Sequence, residues 1–255
     1  MSFRHIKTEL ADGVGTITLN RPPVNILNIE MMEEINRALR DFKGEEGLKV
    51  LLFRAEGKAF SAGVDVGEHV GDMVKTMIDA FHGMFRLMDE LQTPSIALVN
   101  GSALGGGCEL ALYCDMVLAT EKSTFGQPEI MVGVFPPIAA LILPRIIGRK
   151  KAMELILSGK TIGAREALEM GLINRVISED FLEEEVKGFV GEFARHSAAV
   201  LRLTKKATRE GLCDDVEDGL RRIERIYLEE LMKTGDATEG LKAFLEKRKP
   251  DWRDR

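Results

Sequence analysis

Leu104-Gly105-Gly106-Gly107-Cys108-Glu109-Leu110 joins two different periodicities. Upstream, Ser95 to Val99 is a short apolar run that reads as a buried strand. Downstream, Ala111-Leu112-Tyr113-Cys114 continues as a helix. Three glycines between a strand and a helix let the backbone approach another part of the chain or a ligand closely. They also leave unpaired N–H groups at the positive end of the helix. Glu109 follows about one turn inside. Donors and an acid in one tight turn suit the polarisation of a carbonyl and the movement of a proton beside it. The stretch alone admits a second reading, a packed glycine turn with Glu109 facing solvent.

Strands and helices alternate on either side of this turn. Ile6 to Leu19 reads as a hairpin turning at Ala11-Asp12-Gly13. Asn28 is placed to cap a helix whose stripe is Ile29, Met32, Ile35, Leu39 and Phe42. Val50 to Phe53 is a further strand. Asp72 to Leu91 reads as an amphipathic helix with Met73, Met77, Phe81, Met84, Leu87 and Leu91 inward. Met116 to Ala119 is another strand. The pattern predicts an α/β fold around a buried sheet. After Pro137 strand signals fade, and helices are predicted over 139–147, 151–157, 164–170, 181–196, 198–211, 216–234 and 239–247. The polar step Arg195-His196-Ser197 is the best place to divide a core, 1–195, from a helical region, 196–255.

Composition limits the function. Of the 255 residues 45% are hydrophobic and 30% charged, with a net charge of −6, which suits a water-soluble protein and disfavours a nucleic-acid surface. Met1-Ser2-Phe3-Arg4-His5 does not read as a secretory signal, and no apolar run reaches the ~20 residues of a membrane span. Cys108, Cys114 and Cys213 lack metal-ligand spacing. They read as reduced thiols of a cytoplasmic protein. With four histidines and no cluster, no metal site is expected.

A second acid lies 20 residues beyond the first, in Phe125-Gly126-Gln127-Pro128-Glu129-Ile130. Pro128 stiffens the backbone there. A strand out and a loop back would return Glu129 to the glycine turn, where two carboxylates in different environments can divide acid and base roles. The other reading is a loop carboxylate paired with a surface cation. Burial by Ile130 and Met131 would raise the pKa of Glu129. The loop Phe60-Ser61-Ala62-Gly63-Val64-Asp65 follows the Val50 strand and would share an edge with the glycine turn, each loop offering an N–H.

These segments together resemble the crotonase (enoyl-CoA hydratase/isomerase) superfamily. The motifs are Phe60 to Asp65, Asn100 to Leu110 and Phe125 to Glu129, with Asn20-Arg21-Pro22 near the start and Ala243-Phe244-Leu245-Glu246-Lys247-Arg248 near the end. The resemblance covers essentially the whole chain. It implies a spiral of ββα units with a helical C-terminal trimerisation region, assembled as homotrimer or hexamer. It implies an acyl-CoA substrate and no further cofactor, since coenzyme A is part of the substrate. By the same resemblance the N–H groups of Val64 and Gly106 form the oxyanion hole. Glu109 activates the water that attacks the β-carbon, and Glu129 handles the α-proton. Val24, Ala62, Gly63, Asp65 and Val66 flank the CoA moiety, and Phe244 and Lys247 its nucleotide end. No membrane or nucleic-acid partner is implied for the hydratase branch.

The chain departs from common hydratases at Val134-Phe135-Pro136-Pro137-Ile138-Ala139-Ala140-Leu141. Two prolines stiffen this stretch, and alanines replace glycines. Phe135 and Pro136 should line the acyl pocket. The variant resembles cyclohexa-1,5-diene-1-carbonyl-CoA hydratases, which act on a conjugated ring. The usual lysine after the first oxyanion loop is replaced by Gly67. An isomerase or hydrolase on the same scaffold is the alternative, and an RNA-binding homologue using the basic run Arg202 to Arg209 is a more distant one.

Overall fold

The computed structural model describes residues 3–69, 71–212 and 216–254, with the side chains of Val216 and Phe244 outside the description. In chain order the elements are β1 (Ile6–Ala11), β2 (Val14–Leu19), α1 (Ile29–Lys43), β3 (Val50–Ala55), β4 (Ala59–Ser61), α2 (Met73–Leu91), β5 (Ser95–Val99), β6 (Ser102–Leu104), α3 (Gly106–Tyr113), β7 (Met116–Thr120) and β8 (Thr124–Gly126). Then follow α4 (Pro137–Ile146), α5 (Gly148–Ser158), β9 (Thr161–Gly163), α6 (Ala164–Glu169), β10 (Arg175–Ile177), α7 (Leu182–Ala194), α8 (Ala198–Glu210), α9 (Val216–Arg225) and α10 (Gly235–Leu245).

Two sheets are built in parallel. The larger has the order β1-β2-β3-β5-β7-β10 and the smaller β4-β6-β8-β9. The pairs β3/β4, β5/β6 and β7/β8 each give their first strand to the large sheet and their second to the small one. The helix α3 follows the second pair directly, whereas α2 follows the first after a 3-10 turn, Val66–His69, and α4 the third after another, Pro128–Val132. These are three successive ββα turns of a spiral. Within the large sheet every pairing from β2 onward is parallel. Both faces are covered, so β5 is buried at all five positions and reads as an unbroken apolar run. One face packs against α1, α2 and α3. The other, with Val50, Leu52, Ile96, Leu98 and Leu118, packs on Val186, Phe189 and Val190 of α7.

The helical stripes hold for the most part. Asn28 caps α1, its side chain accepting from Met31 N–H at 3.1 Å, and Met32, Ile35, Leu39 and Phe42 are buried. On α2, Met77, Phe81, Met84 and Leu91 are buried, but Met73 is 46% exposed and Leu87 only half-buried. Met73 is the first residue of α2 and projects beyond the core it was expected to join. The strands β9 and β10 correct the all-helical reading of the second half. Each has three residues and takes its hydrogen bonds from a partner far away in sequence, β8 and β7 respectively. The helix expected over 216–234 stops at Arg225, continues as a π-helical turn, Ile226–Glu230, and ends in a 3-10 turn, Leu231–Lys233. Cys213 lies outside the described residues. Among the described residues no helix is long and apolar enough to cross a membrane.

The spiral brings α3 against β4 with no space to spare. A Cβ on Gly107 would lie 2.4 Å from Ser61 Cβ and 2.7 Å from the Ser61 carbonyl oxygen. Gly107→Ala is therefore expected to cost ~3 kcal/mol or more. Exposed Gly188 in α7 has open space around it, and Gly188→Ala is expected to stabilise by ~0.5–1 kcal/mol. Denaturant midpoints of the two variants check this contrast.

Candidate active site

The site lies where β4, β6 and β8 end. After β4 the chain turns at Gly63, whose φ is +113°. Leu27 N–H donates to the Gly63 carbonyl at 2.9 Å, and Asp65 N–H donates to the Leu27 carbonyl at 3.0 Å. This isolated parallel bridge uses the groups on either side of Val64 and leaves the Val64 N–H facing away from it. After β6, Gly105 takes a φ of +50° and caps α3, so Gly106 offers the first N–H of the helix. Neither the Val64 nor the Gly106 N–H has an acceptor among the described residues. The two loops touch: a Cβ on Gly106 would lie 2.5 Å from Val64 Cγ2, and one on Gly63 3.3 Å from the Leu104 carbonyl oxygen.

Glu109 lies on the first turn of α3 and is 2% exposed. Its Oε1 accepts from Ala139 N–H at 2.7 Å, and the Ile138 N–H also bonds to it. Both donors belong to the first turn of α4. Pro136 and Pro137 have no N–H, and a proline at the first helical position preorganises that turn. The positive end of α4 thus points at the carboxylate. Burial nevertheless dominates and pushes the Glu109 pKa up to about 8, against the two N–H bonds and with a smaller contribution from Glu129.

Glu129 sits in the 3-10 turn Pro128–Val132, with Oε1 2.8 Å from where a Gly105 Cβ would be. The two acids and the glycine turn are therefore brought together. Burial raises the Glu129 pKa to about 7. Ile130 and Met131, expected to bury it, are themselves largely in solvent. They are 43% and 69% exposed, and both side chains lie beside Gly159. Gln127, quoted above only as part of a motif, is the polar group that sequence reasoning missed. It is 1% exposed. With its amide nitrogen turned inward it donates to Glu129 Oε1 and Oε2, each at 3.2 Å. Its position two residues before the acid, at the exit of a buried strand, was the available signal.

The other expected residues are more scattered. Ala62 N–H donates to the Val24 carbonyl at 2.9 Å, which joins the Val24 segment to the Gly63 loop. Ala62 and Val66 are exposed and Asp65 half-buried, its carboxylate accepting from Gly67 N–H at 2.9 Å. Pro136 is buried beside the start of α4, whereas Phe135 is 70% exposed. Lys247 follows α10 in a left-handed conformation, exposed, with no hydrogen bond or ion pair among the described residues. The Phe244 side chain lies outside the described residues. Cys108 and Cys114 are buried free thiols, and burial pushes both pKa values up. Among the described residues no three His, Cys, Asp or Glu are grouped to hold a metal ion.

The ββα spiral defines a fold class, and comparison with known proteins names its family. The enoyl-CoA hydratase/isomerase family model matches residues 9–255. A probable enoyl-CoA hydratase of Rhizobium meliloti is 39% identical, with all of both chains covered. The cyclohexa-1,5-dienecarbonyl-CoA hydratase of Thauera aromatica is 38% identical over 94% of this chain and 92% of its own. A solved enoyl-CoA hydratase of Bacillus anthracis superposes with a TM-score of 0.92 at 34% identity, covering 99% of this chain and 100% of the other. The chain belongs to the enoyl-CoA hydratase/isomerase family.

The raised pKa of Glu109 has a stability consequence with a definite sign. Folding disfavours its ionised form, so stability is fully present below the ordinary carboxyl range and is lost as pH rises toward about 8. Glu109→Gln removes that loss. The variant is expected to gain stability over the parent at pH 9 by a few kcal/mol, at ~1.4 kcal/mol per pH unit of displacement. The gain should shrink toward zero at pH 5. Thermal or denaturant midpoints at the two pH values measure it.

Proposed function

We propose that the chain adds water across the 2,3-double bond of an acyl-CoA thioester. The observation that carries this reading is the meeting of the Val64 and Gly106 N–H groups with Glu109 and Glu129 in one loop cluster. The thioester oxygen is held by the two N–H groups, and the helix end behind Gly106 favours the negative charge that develops there. Glu109 takes a proton from water as the water oxygen bonds to the β-carbon. The π-electrons move toward the thioester and form an enolate. Glu129 then gives its proton to the α-carbon. Return of the proton from Glu109 to Glu129 through solvent closes the cycle.

The dyad must hold one proton. In the empty site burial makes Glu109 the harder carboxyl to ionise. Glu129 is only half-buried, so an acyl chain seated over it removes its remaining water and raises its pKa further. The proton then belongs on Glu129, while the Ile138 and Ala139 N–H groups sustain charge on Glu109. Substrate binding thereby sets the acid and the base.

The CoA moiety runs along Val24, Ala62, Gly63, Asp65 and Val66, with Phe244 and Lys247 assigned to its nucleotide end. Phe135 and Pro136 wall the acyl group, and the stiff segment they open favours a cyclic dienoyl-CoA. The relative from Thauera aromatica supports that choice. Coenzyme A enters as part of the substrate, and no further cofactor is assigned. Residues 1–195 carry the site and 196–255 mediate assembly as a homotrimer or hexamer. Within the latter region exposed Leu228 and Leu245 are suited to such burial. The buried thiols fit a reducing cytoplasmic setting. RNA binding is disfavoured because the cations from Arg202 to Arg209 are already used: Arg202 on backbone carbonyls, Lys205 on Asp115, Lys206 on Glu230 and Arg209 on Asp89.

Glu109→Gln and Glu129→Gln are each expected to lower kcat by about 10²–10⁴, and labelled water oxygen should appear in the β-hydroxyacyl product. An isomerase would incorporate none. The pH profile of kcat/KM should be bell-shaped, falling as the dyad gains a second proton at low pH and loses its last at high pH. In a panel of thioesters, cyclohexa-1,5-diene-1-carbonyl-CoA should turn over faster than crotonyl-CoA; the reverse order by a wide margin removes the cyclic assignment.

A further inference from the structure

The helix α3 carries both the Gly106 N–H and Glu109, yet has only eight residues. So short a helix has little rigidity of its own. Its C-terminal end is reached from α8 by two cations one turn apart, Lys205 through Asp115 just beyond the helix and Arg209 through Asp89 of α2. Lys205 Nζ, 10% exposed, donates to Asp115 Oδ2 at 2.6 Å and to the Thr93 carbonyl at 2.9 Å. The same Asp115 oxygen accepts from Ser95 N–H at 2.7 Å and Ser95 Oγ at 2.8 Å. Asp115 thus fastens the end of α3 to the start of β5 and to α8.

The second grip leads to the N-terminal end. Arg209 donates to Asp89 Oδ1 at 2.5 Å, and Tyr113 Oη donates to the same oxygen at 2.7 Å. The Tyr113 ring lies 4.7 Å from that of Phe85, and Phe85 meets Phe81 edge-on at 4.9 Å. The Phe81 ring in turn backs Gly106, 3.1 Å from where a Cβ would be. A continuous row on α2 therefore supports α3 from Tyr113 to Gly106. The Asp89 carboxyl sits below its usual range: burial raises it, and the bonds from Arg209 and Tyr113 outweigh that.

We propose that Lys205 and Arg209 are positioning residues, which make α8 a strut holding the Gly106 N–H and the Glu109 carboxylate in register across α3. The strut rests on the hydratase reading of those two groups. It assigns α8 a part in the chemistry although none of its side chains reaches the reacting atoms.

The test uses the full chain. In Arg209→Met and Lys205→Met, hydrogen exchange at the amides of residues 106–113 should quicken tenfold or more while β3 and β5 stay protected. With an enoyl-CoA thioester, kcat should fall about tenfold with KM within twofold, and Arg209→Lys should recover most of the loss. If either Met variant does not fold, Tyr113→Phe, which keeps both ion pairs, carries the same measurements. Exchange quickened evenly over the sheet, unchanged exchange in α3, a change in KM alone, or an unchanged kcat each overturns the strut. Exchange needs no substrate, so failure of the hydratase reading shows separately, as full activity in Glu109→Gln.

Discussion

The close passage of α3 over β4 is the constraint on which everything else depends. At Gly107 the neighbouring Ser61 occupies the space a side chain would need, and at Gly106 Val64 and Phe81 do the same. Backbone must therefore lie on backbone. That approach sets the Gly63–Val64 loop against the start of α3. The smaller sheet exists to enforce it. β4, β6 and β8 contribute few residues each, but their parallel pairing aligns the loops that follow. The larger sheet with its two buried faces supplies the stability against which this crowding can be held.

The same fold carries an unfavourable load. Two carboxyls are drawn out of water within one loop cluster, and the favourable groups around them do not cancel the cost. For Glu109 the N–H groups of α4 fall short of its desolvation, and for Glu129 burial also wins. Such a load is characteristic of reactive sites, where groups must titrate near neutrality to exchange protons. Gln127 fits the same logic, because a buried amide with no other purpose would be a poor choice beside Glu129.

Much of this could be read before any coordinates. The glycine turn, Glu109 and Glu129 stood out as motifs, but composition and spacing left a second reading open for each, and only the resemblance of several motifs in order chose between them. Stripes at helical spacing located α1 and α2. What escaped were features decided by distant partners. β4, β6, β8, β9 and β10 have three residues each, too few for a period to show, and their pairing is non-local. The exposure of Met73, Ile130 and Met131 depends on where helices and turns point rather than on hydrophobicity. The grip of Lys205 and Arg209 on α3 spans about a hundred residues. In sequence it read only as a basic run.

The start of α4 joins two tasks. The segment that opens with Phe135 and Pro136 supplies the Ile138 and Ala139 N–H groups that hold Glu109. On the proposed function, selectivity and basicity are therefore written into the same few residues. A lineage that reshapes this loop to admit another acyl group also resets the acid strength of Glu109. Exchanging the loop between relatives would transplant a pH optimum together with a substrate. Diversification on this scaffold is then expected to proceed by coordinated changes here, rather than by single replacements that widen a pocket and leave the base untouched.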